Sequence, residues 1–195
     1  MLRKLYYLLY LFPAIFYYSQ LHSQMIIKNP SFEDTPADAT IPKQWKGCAT
    51  GTTPDILPGF WGVYLDAAHG STYVGLITRE DGSFESLGQK LSSTMQAGEC
   101  YQFSLKLAFS EIYAGYNEPI KLRIWLGDSM CSKGEKIFES PFIRSESWKT
   151  FQIKHMPRKN YQYIIFEAYY KEGKETRRGN ILIDDITPIK MCIKA

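Results

Sequence analysis

The strongest constraint on this chain is a two-residue period. Tyr101-Gln102-Phe103-Ser104-Leu105-Lys106-Leu107 sets apolar residues at every second position, and Lys121-Leu122-Arg123-Ile124-Trp125-Leu126 puts Leu122, Ile124 and Leu126 on one side. Successive side chains of a strand point to opposite faces, so each run reads as a strand with one buried face. Phe151–Lys154, Tyr161–Tyr170 and Asn180–Ile186 add three more, and Phe60–Asp66, Ser71–Thr78 and Phe84–Leu91 are earlier candidates. Turn clusters separate them: Thr53-Pro54-Asp55, Leu57-Pro58-Gly59, Arg79-Glu80-Asp81-Gly82, Gln96-Ala97-Gly98 and the stretch 171–179. No stretch carries the spacing of an amphipathic helix. The pattern predicts an all-β chain folded as an antiparallel β-sandwich or jelly roll.

At 195 residues and 45% hydrophobic content the chain can bury a core, and no linker, low-complexity run or internal repeat divides it. The first residues have a different character. Met1-Leu2-Arg3-Lys4 is cationic, Leu5–Tyr18 is apolar or aromatic without a charge, and Ser19–Gln24 turns polar with a small residue at Ser23. That is the layout of a secretory signal peptide over residues 1–23, followed by one domain over 24–195. The apolar stretch holds 14 residues with Pro13 inside it. A spanning helix needs roughly 20, so no membrane span is expected after signal cleavage. Net charge is +3, and Arg3 and Lys4 lie in the leader. The remaining balance steers no nucleic acid.

Cys48, Cys100, Cys131 and Cys192 all follow the leader. An even count in an exported chain favours disulfides over metal or thiol chemistry, and no C-x-x-C motif is present. Cys100 opens one apolar run and Cys131 follows the next. If those runs pair antiparallel, the expected bridges are Cys100–Cys131 and Cys48–Cys192.

The opening Asn29-Pro30-Ser31-Phe32-Glu33 and the closing Asn180-Ile181-Leu182-Ile183-Asp184-Asp185-Ile186 resemble the first and last strands of galactose-binding-like jelly rolls. Among these the chain is similar to cellulose- and xylan-binding type carbohydrate-binding modules of secreted bacterial proteins. Glu85-Ser86-Leu87-Gly88-Gln89 and Ala97-Gly98-Glu99-Cys100-Tyr101-Gln102-Phe103-Ser104 fit the internal order of that family. The resemblance implies a structural calcium ion (Ca2+) where the first and last strands meet, with Glu33 and either Asp184 or Asp185 as side-chain ligands. Hard cations take carboxylate and carbonyl oxygens, and adjacent strand residues face opposite ways, so one Asp of that pair would serve.

Sugars present C–H faces to aromatic rings and hydroxyls to planar polar groups. Arg123 and Trp125 leave the apolar face of their run, and Glu167 and Tyr169 share one parity. If the two runs are neighbours, these four form an aromatic–polar surface. A second candidate lies in loops: Phe60, Trp61, Tyr64, Tyr113 and Tyr116, near Asn117 and Glu118. Trp45 and Trp148 sit beside turns and read as packing anchors. Gly127-Asp128-Ser129 and Asp66-Ala67-Ala68-His69 match pieces of a secreted esterase family, but in the wrong order and without its alternating helices. Glu80/Asp81 and Glu33/Asp34 are carboxylate pairs of the kind a glycosidase uses. The sequence thus reads as a secreted, non-catalytic protein recognising extracellular or cell-surface carbohydrate (glycan). The alternatives are a structural or adhesive surface protein holding a protein partner, and a glycan-active hydrolase.

Overall fold

The alternating runs do become strands. The computed structural model describes residues 24–171 and 175–192, and the expected signal peptide lies outside them. Among these residues there is no helix, and twelve strands follow in order. They are β1 (Lys46–Gly47), β2 (Asp55–Leu57), β3 (Tyr73–Thr78), β4 (Ser86–Met95), β5 (Tyr101–Ala108) and β6 (Glu118–Pro119). Then come β7 (Lys121–Gly127), β8 (Glu135–Glu139), β9 (Lys149–His155), β10 (Tyr161–Tyr169), β11 (Gly179–Asp184) and β12 (Lys190–Met191).

Two sheets stack. The first runs β1-β4-β10-β7-β8, antiparallel throughout. In the second, β9 lies along one edge of β5, while the other edge is shared by β11 near Ala108 and β12 near Tyr101. β3 and β2 continue outward from β11, and β6 adds a short parallel pairing at the start of β11.

The core fills the space between the sheets. Leu122, Ile124 and Leu126 of β7 meet Phe103, Leu105 and Leu107 of β5, with Ile164, Phe166 and Ala168 of β10 and Ile181 and Ile183 of β11 completing the cluster. Each such side chain contributes about 1.5–3 kcal/mol by leaving water. The second sheet is covered on its outer side too. Leu57, Tyr73, Ile77, Ala108, Tyr113 and Leu182 pack there with Val63 into a smaller cluster, against Phe60, Leu65 and Trp148. Both faces of β3 and β11 are therefore buried, which is why Tyr73–Ile77 and Ile181–Ile183 read as unbroken apolar runs.

That cover corrects one expectation. Phe60–Asp66 is not a strand but part of the covering loop. Positive φ at Gly59, Trp61 and Gly62 turns the backbone away from the extended region. The opening stretch is also irregular, with Asn29 and Phe32 at positive φ and one bridge, Met25 to Ile189. Its Phe32 stacks on Trp45 with ring centroids 4.9 Å apart, and the Trp45 indole donates to the Asn29 carbonyl. Trp148 packs edge-on against Tyr73. Both tryptophans are anchors, as their positions beside turns suggested.

The disulfide pairing is corrected as well. The bridges are Cys48–Cys131 and Cys100–Cys192, with Cα–Cα distances of 5.0 and 5.3 Å. The expected pairing required β5 and β7 to be neighbours, and they lie in different sheets. Instead β12 pairs with β5, so the Cys192 amide donates to the Cys100 carbonyl. Cys131, just beyond β7, crosses the first sheet to reach Cys48 at the end of β1. Gly88 makes room for that crossing: a Cβ there would lie 2.8 Å from Cys48 Sγ.

Candidate functional site

With the outer side of the second sheet covered, the outer face of the first is where polar strand residues come together. The register aligns Ser86, Glu167, Arg123 and Glu139 in one row across β4, β10, β7 and β8. The next row is Gly88, Ile165, Trp125 and Lys136. Tyr169 lies one pleat further along β10, opposite Lys121. Arg123, Trp125, Glu167 and Tyr169, expected from parity alone to share a surface, all line one groove of about 610 Å³. Phe84 and Arg79 close it on the β4 side, and Tyr170, Lys171 and Thr176 on another.

Charges in the groove are arranged unevenly. The Arg123 guanidinium carbon sits over the Tyr169 ring, 3.1 Å from its centroid, and its Nε donates to Glu139 Oε2 at 2.9 Å. Glu139 also receives Lys121 at 3.2 Å and Lys136 at 2.7 Å. The Lys136 hydrogen bond, followed by those from Lys121 and Arg123, outweighs burial and pulls the Glu139 carboxyl down to about 2. Arg79 pairs with buried Glu85 at 2.8 Å. Lys133 pairs with Glu167 and sits 4.7 Å from the Phe84 ring and 5.9 Å from that of Trp125. The Cys48–Cys131 bridge holds Lys133 there, because the residue follows Cys131 by two positions on the crossing segment.

Among the described residues Ser86 Oγ and Trp125 Nε1 are buried without a hydrogen-bond partner, and Glu167 Oε2 meets only the Lys133 ammonium. All belong to the two rows just described.

Neither a family model nor a curated protein matches the sequence. Solved structures do match in fold. One is a cyclase from Fischerella sp. TAU in complex with 4-(1H-indol-3-yl)butan-2-one, 11% identical over 89% of this chain and 99% of that one, with a TM-score of 0.59. Another is the CBM22-1 xylan-binding domain of Paenibacillus barcinonensis Xyn10C, 12% identical over 85% and 93%, with a TM-score of 0.51. The K3 cleaved adhesin domain of Lys-gingipain from Porphyromonas gingivalis is 14% identical over 83% and 97%, with a TM-score of 0.52. The fold is an all-β jelly roll. The expected resemblance thus holds at the level of architecture.

In this jelly roll the second candidate surface forms a separate, smaller pocket of about 250 Å³ lined by Asp38, Asp55, Trp61, Tyr113 and Tyr116. Trp61 is half exposed and donates from Nε1 to Asp38 at 3.0 Å. Tyr116 lies under the Arg178 guanidinium. Tyr113 departs from expectation. It is buried, with its hydroxyl donating to Asp55 Oδ2 at 2.6 Å, so its ring is not free to stack on a ligand. Burial, first of all, raises the Asp55 carboxyl, and neighbouring Asp38 adds to that rise.

Glu33 and Asp184, the residues the resemblance assigns to calcium, converge on one loop. Glu33 accepts the Ser71 amide at 3.0 Å and the Thr72 amide at 3.4 Å. Asp184 Oδ2 accepts those of Ala68 and His69 at 2.8 and 3.0 Å, and Oδ1 that of Asp185 at 2.6 Å. Burial lifts the Asp184 carboxyl to about 6. Asp185 points away and pairs with Lys106. Among the described residues no three His, Cys, Asp or Glu side chains gather as a metal site. The two carboxylates thus clamp the 66–72 loop through four of its amides, those of Ala68, His69, Ser71 and Thr72.

Sequence reasoning missed Ser86, Phe84, Lys133 and Glu139. Ser86 and Phe84 share one parity within Phe84–Leu91 and were open to that reasoning. Lys133 depends on the unforeseen disulfide and Glu139 on a strand whose Glu-Lys-Ile-Phe-Glu sequence alternates only weakly.

Proposed function

We propose that the protein binds a saccharide in the first-sheet groove and does no chemistry on it. The observation that carries this reading is the set of unpartnered polar atoms beside aromatic rings. A buried donor or acceptor without a partner costs about 1–3 kcal/mol, and folded proteins hold few of them. Trp125 Nε1 offers a donor and Ser86 Oγ, in the neighbouring row, a donor or acceptor, while Glu167 Oε2 is held by Lys133. Adjacent sugar hydroxyls supply both complements, and the rings of Trp125 and Phe84 suit a sugar's C–H face.

Glycoside hydrolysis uses two carboxylates held about 5–9.5 Å apart. Glu167 is the one carboxylate lining the groove among the described residues. In the smaller pocket Asp55 is engaged by the Tyr113 hydroxyl and the Ala39 amide, and Asp38 by the Trp61 indole. Two disulfides and no free cysteine among the described residues support folding in an oxidising space, at a cell surface or beyond it.

The test is a glycan array followed by calorimetry on the best ligand. Trp125→Ala and Glu167→Gln are each expected to weaken binding at least tenfold while leaving the far-ultraviolet dichroism unchanged. A folded protein that binds no glycan would remove the proposal. One observation favours an adhesive role as a second reading: Trp61, Tyr64 and Ile112 are exposed together at one loop end, with Ile112 packed over Gly62. Under that reading Trp61→Ala, and not Trp125→Ala, abolishes attachment.

A further inference from the structure

We infer that the groove selects saccharides bearing a carboxylate, uronic acids in particular, and that Arg123 reads that group. This rests on the saccharide reading above and narrows it. Arg123 is held from two sides: its guanidinium carbon sits 3.1 Å over the Tyr169 ring and its Nε donates to Glu139. Among the described residues no acceptor meets its Nη atoms, and the residue lines the groove. A guanidinium held by its face and one nitrogen presents its remaining N–H fork in a set direction. That fork matches a carboxylate with two parallel hydrogen bonds.

The surroundings reinforce this preference. Arg79 and Lys133 are each balanced by one carboxylate, Glu85 and Glu167. At the β7–β8 side, Glu139 alone faces Lys121, Arg123 and Lys136. Lys171 adds to the groove lining. In a chain with a net charge of only +3, the groove lining itself thus carries Arg79, Arg123, Lys133 and Lys171 against Glu167 among the described residues. An anionic ligand is drawn there, and salt weakens the attraction.

The experiment compares galacturonic acid hexamer with its carboxyl-reduced, neutral counterpart, and glucuronoxylan with carboxyl-reduced xylan, by calorimetry at low and high salt. At least one acidic form is expected to bind tenfold or more tightly than its neutral partner, with the advantage shrinking as salt rises. Arg123→Lys keeps the charge but loses the fork; it is expected to cost the acidic ligand about tenfold more than its neutral partner. Equal affinity for acidic and neutral partners would overturn the inference and leave saccharide binding standing. Equal losses for both ligands in Arg123→Lys would reduce Arg123 to a structural role and overturn it too. If the folded protein binds none of these probes nor any array glycan, both readings fall.

Discussion

At the scale of single residues, the groove owes its geometry to side-chain parity. Arg123, Trp125, Glu167 and Tyr169 were legible because each sits at an outward position on a strand whose other face is plainly apolar. Tyr113 was not, since nothing in its loop signals that Gly75 leaves space for its hydroxyl: a Cβ at Gly75 would lie 2.4 Å from Tyr113 Oη. Glu139 carries a measurable consequence. Its carboxyl sits near 2 in the fold against an ordinary 4.5, chiefly through Lys136. A lowered carboxylate pKa stabilises the folded state above the unfolded value, and that contribution disappears as pH falls from 4.5 toward 2. With the Glu139 side chain 26% exposed, solvent screening leaves about 1 kcal/mol of it. Glu139→Gln is expected to lose that amount in urea unfolding at pH 7, and the gap should narrow below pH 4.5. A gap independent of pH would show that the ion cluster does not stabilise the fold.

At the scale of elements, β5, β7 and β9 were legible through their two-residue period, and β10 through the apolar run at its centre, buried on both faces from Ile164 to Ala168. β3 and β11, buried on both sides, were also expected as strands within Ser71–Thr78 and Asn180–Ile186, whereas β2, only three residues long, and the weakly alternating β8 were missed. Chain order also says nothing about sheet neighbours, and so the cysteines were paired across strands that never meet. The segment between β7 and β8 follows from the true pairing. Cys48–Cys131 closes 83 residues of separation, and removing a bridge of this kind costs about 2–4 kcal/mol. Replacing both cysteines by serine is expected to lower stability by that amount and to raise hydrogen exchange over 128–134, where Lys133 reaches Glu167. Unchanged exchange there would mean that the segment holds its place without the bridge.

At the scale of the whole molecule, an asymmetry decides where a ligand can go. One outer face is occupied by the molecule's own 58–70 loop, and the other keeps its polar rows accessible. The clamp on 66–72 belongs to this arrangement, since Glu33 and Asp184 tie that loop to both ends of the domain through amides. The resemblance-implied calcium ion is tested by the melting temperature in excess chelator and in millimolar calcium. A drop of several degrees with chelator is the outcome expected of a cation at that junction, and equal temperatures that of a clamp made by amides alone. The two disulfides have a wider consequence, because the spans they close overlap: 48 to 131 and 100 to 192. A protease that severs the backbone once, anywhere from Cys48 to Cys192, leaves two pieces that remain covalently one body. A protein built this way can be nicked in a hostile medium and still carry its groove intact.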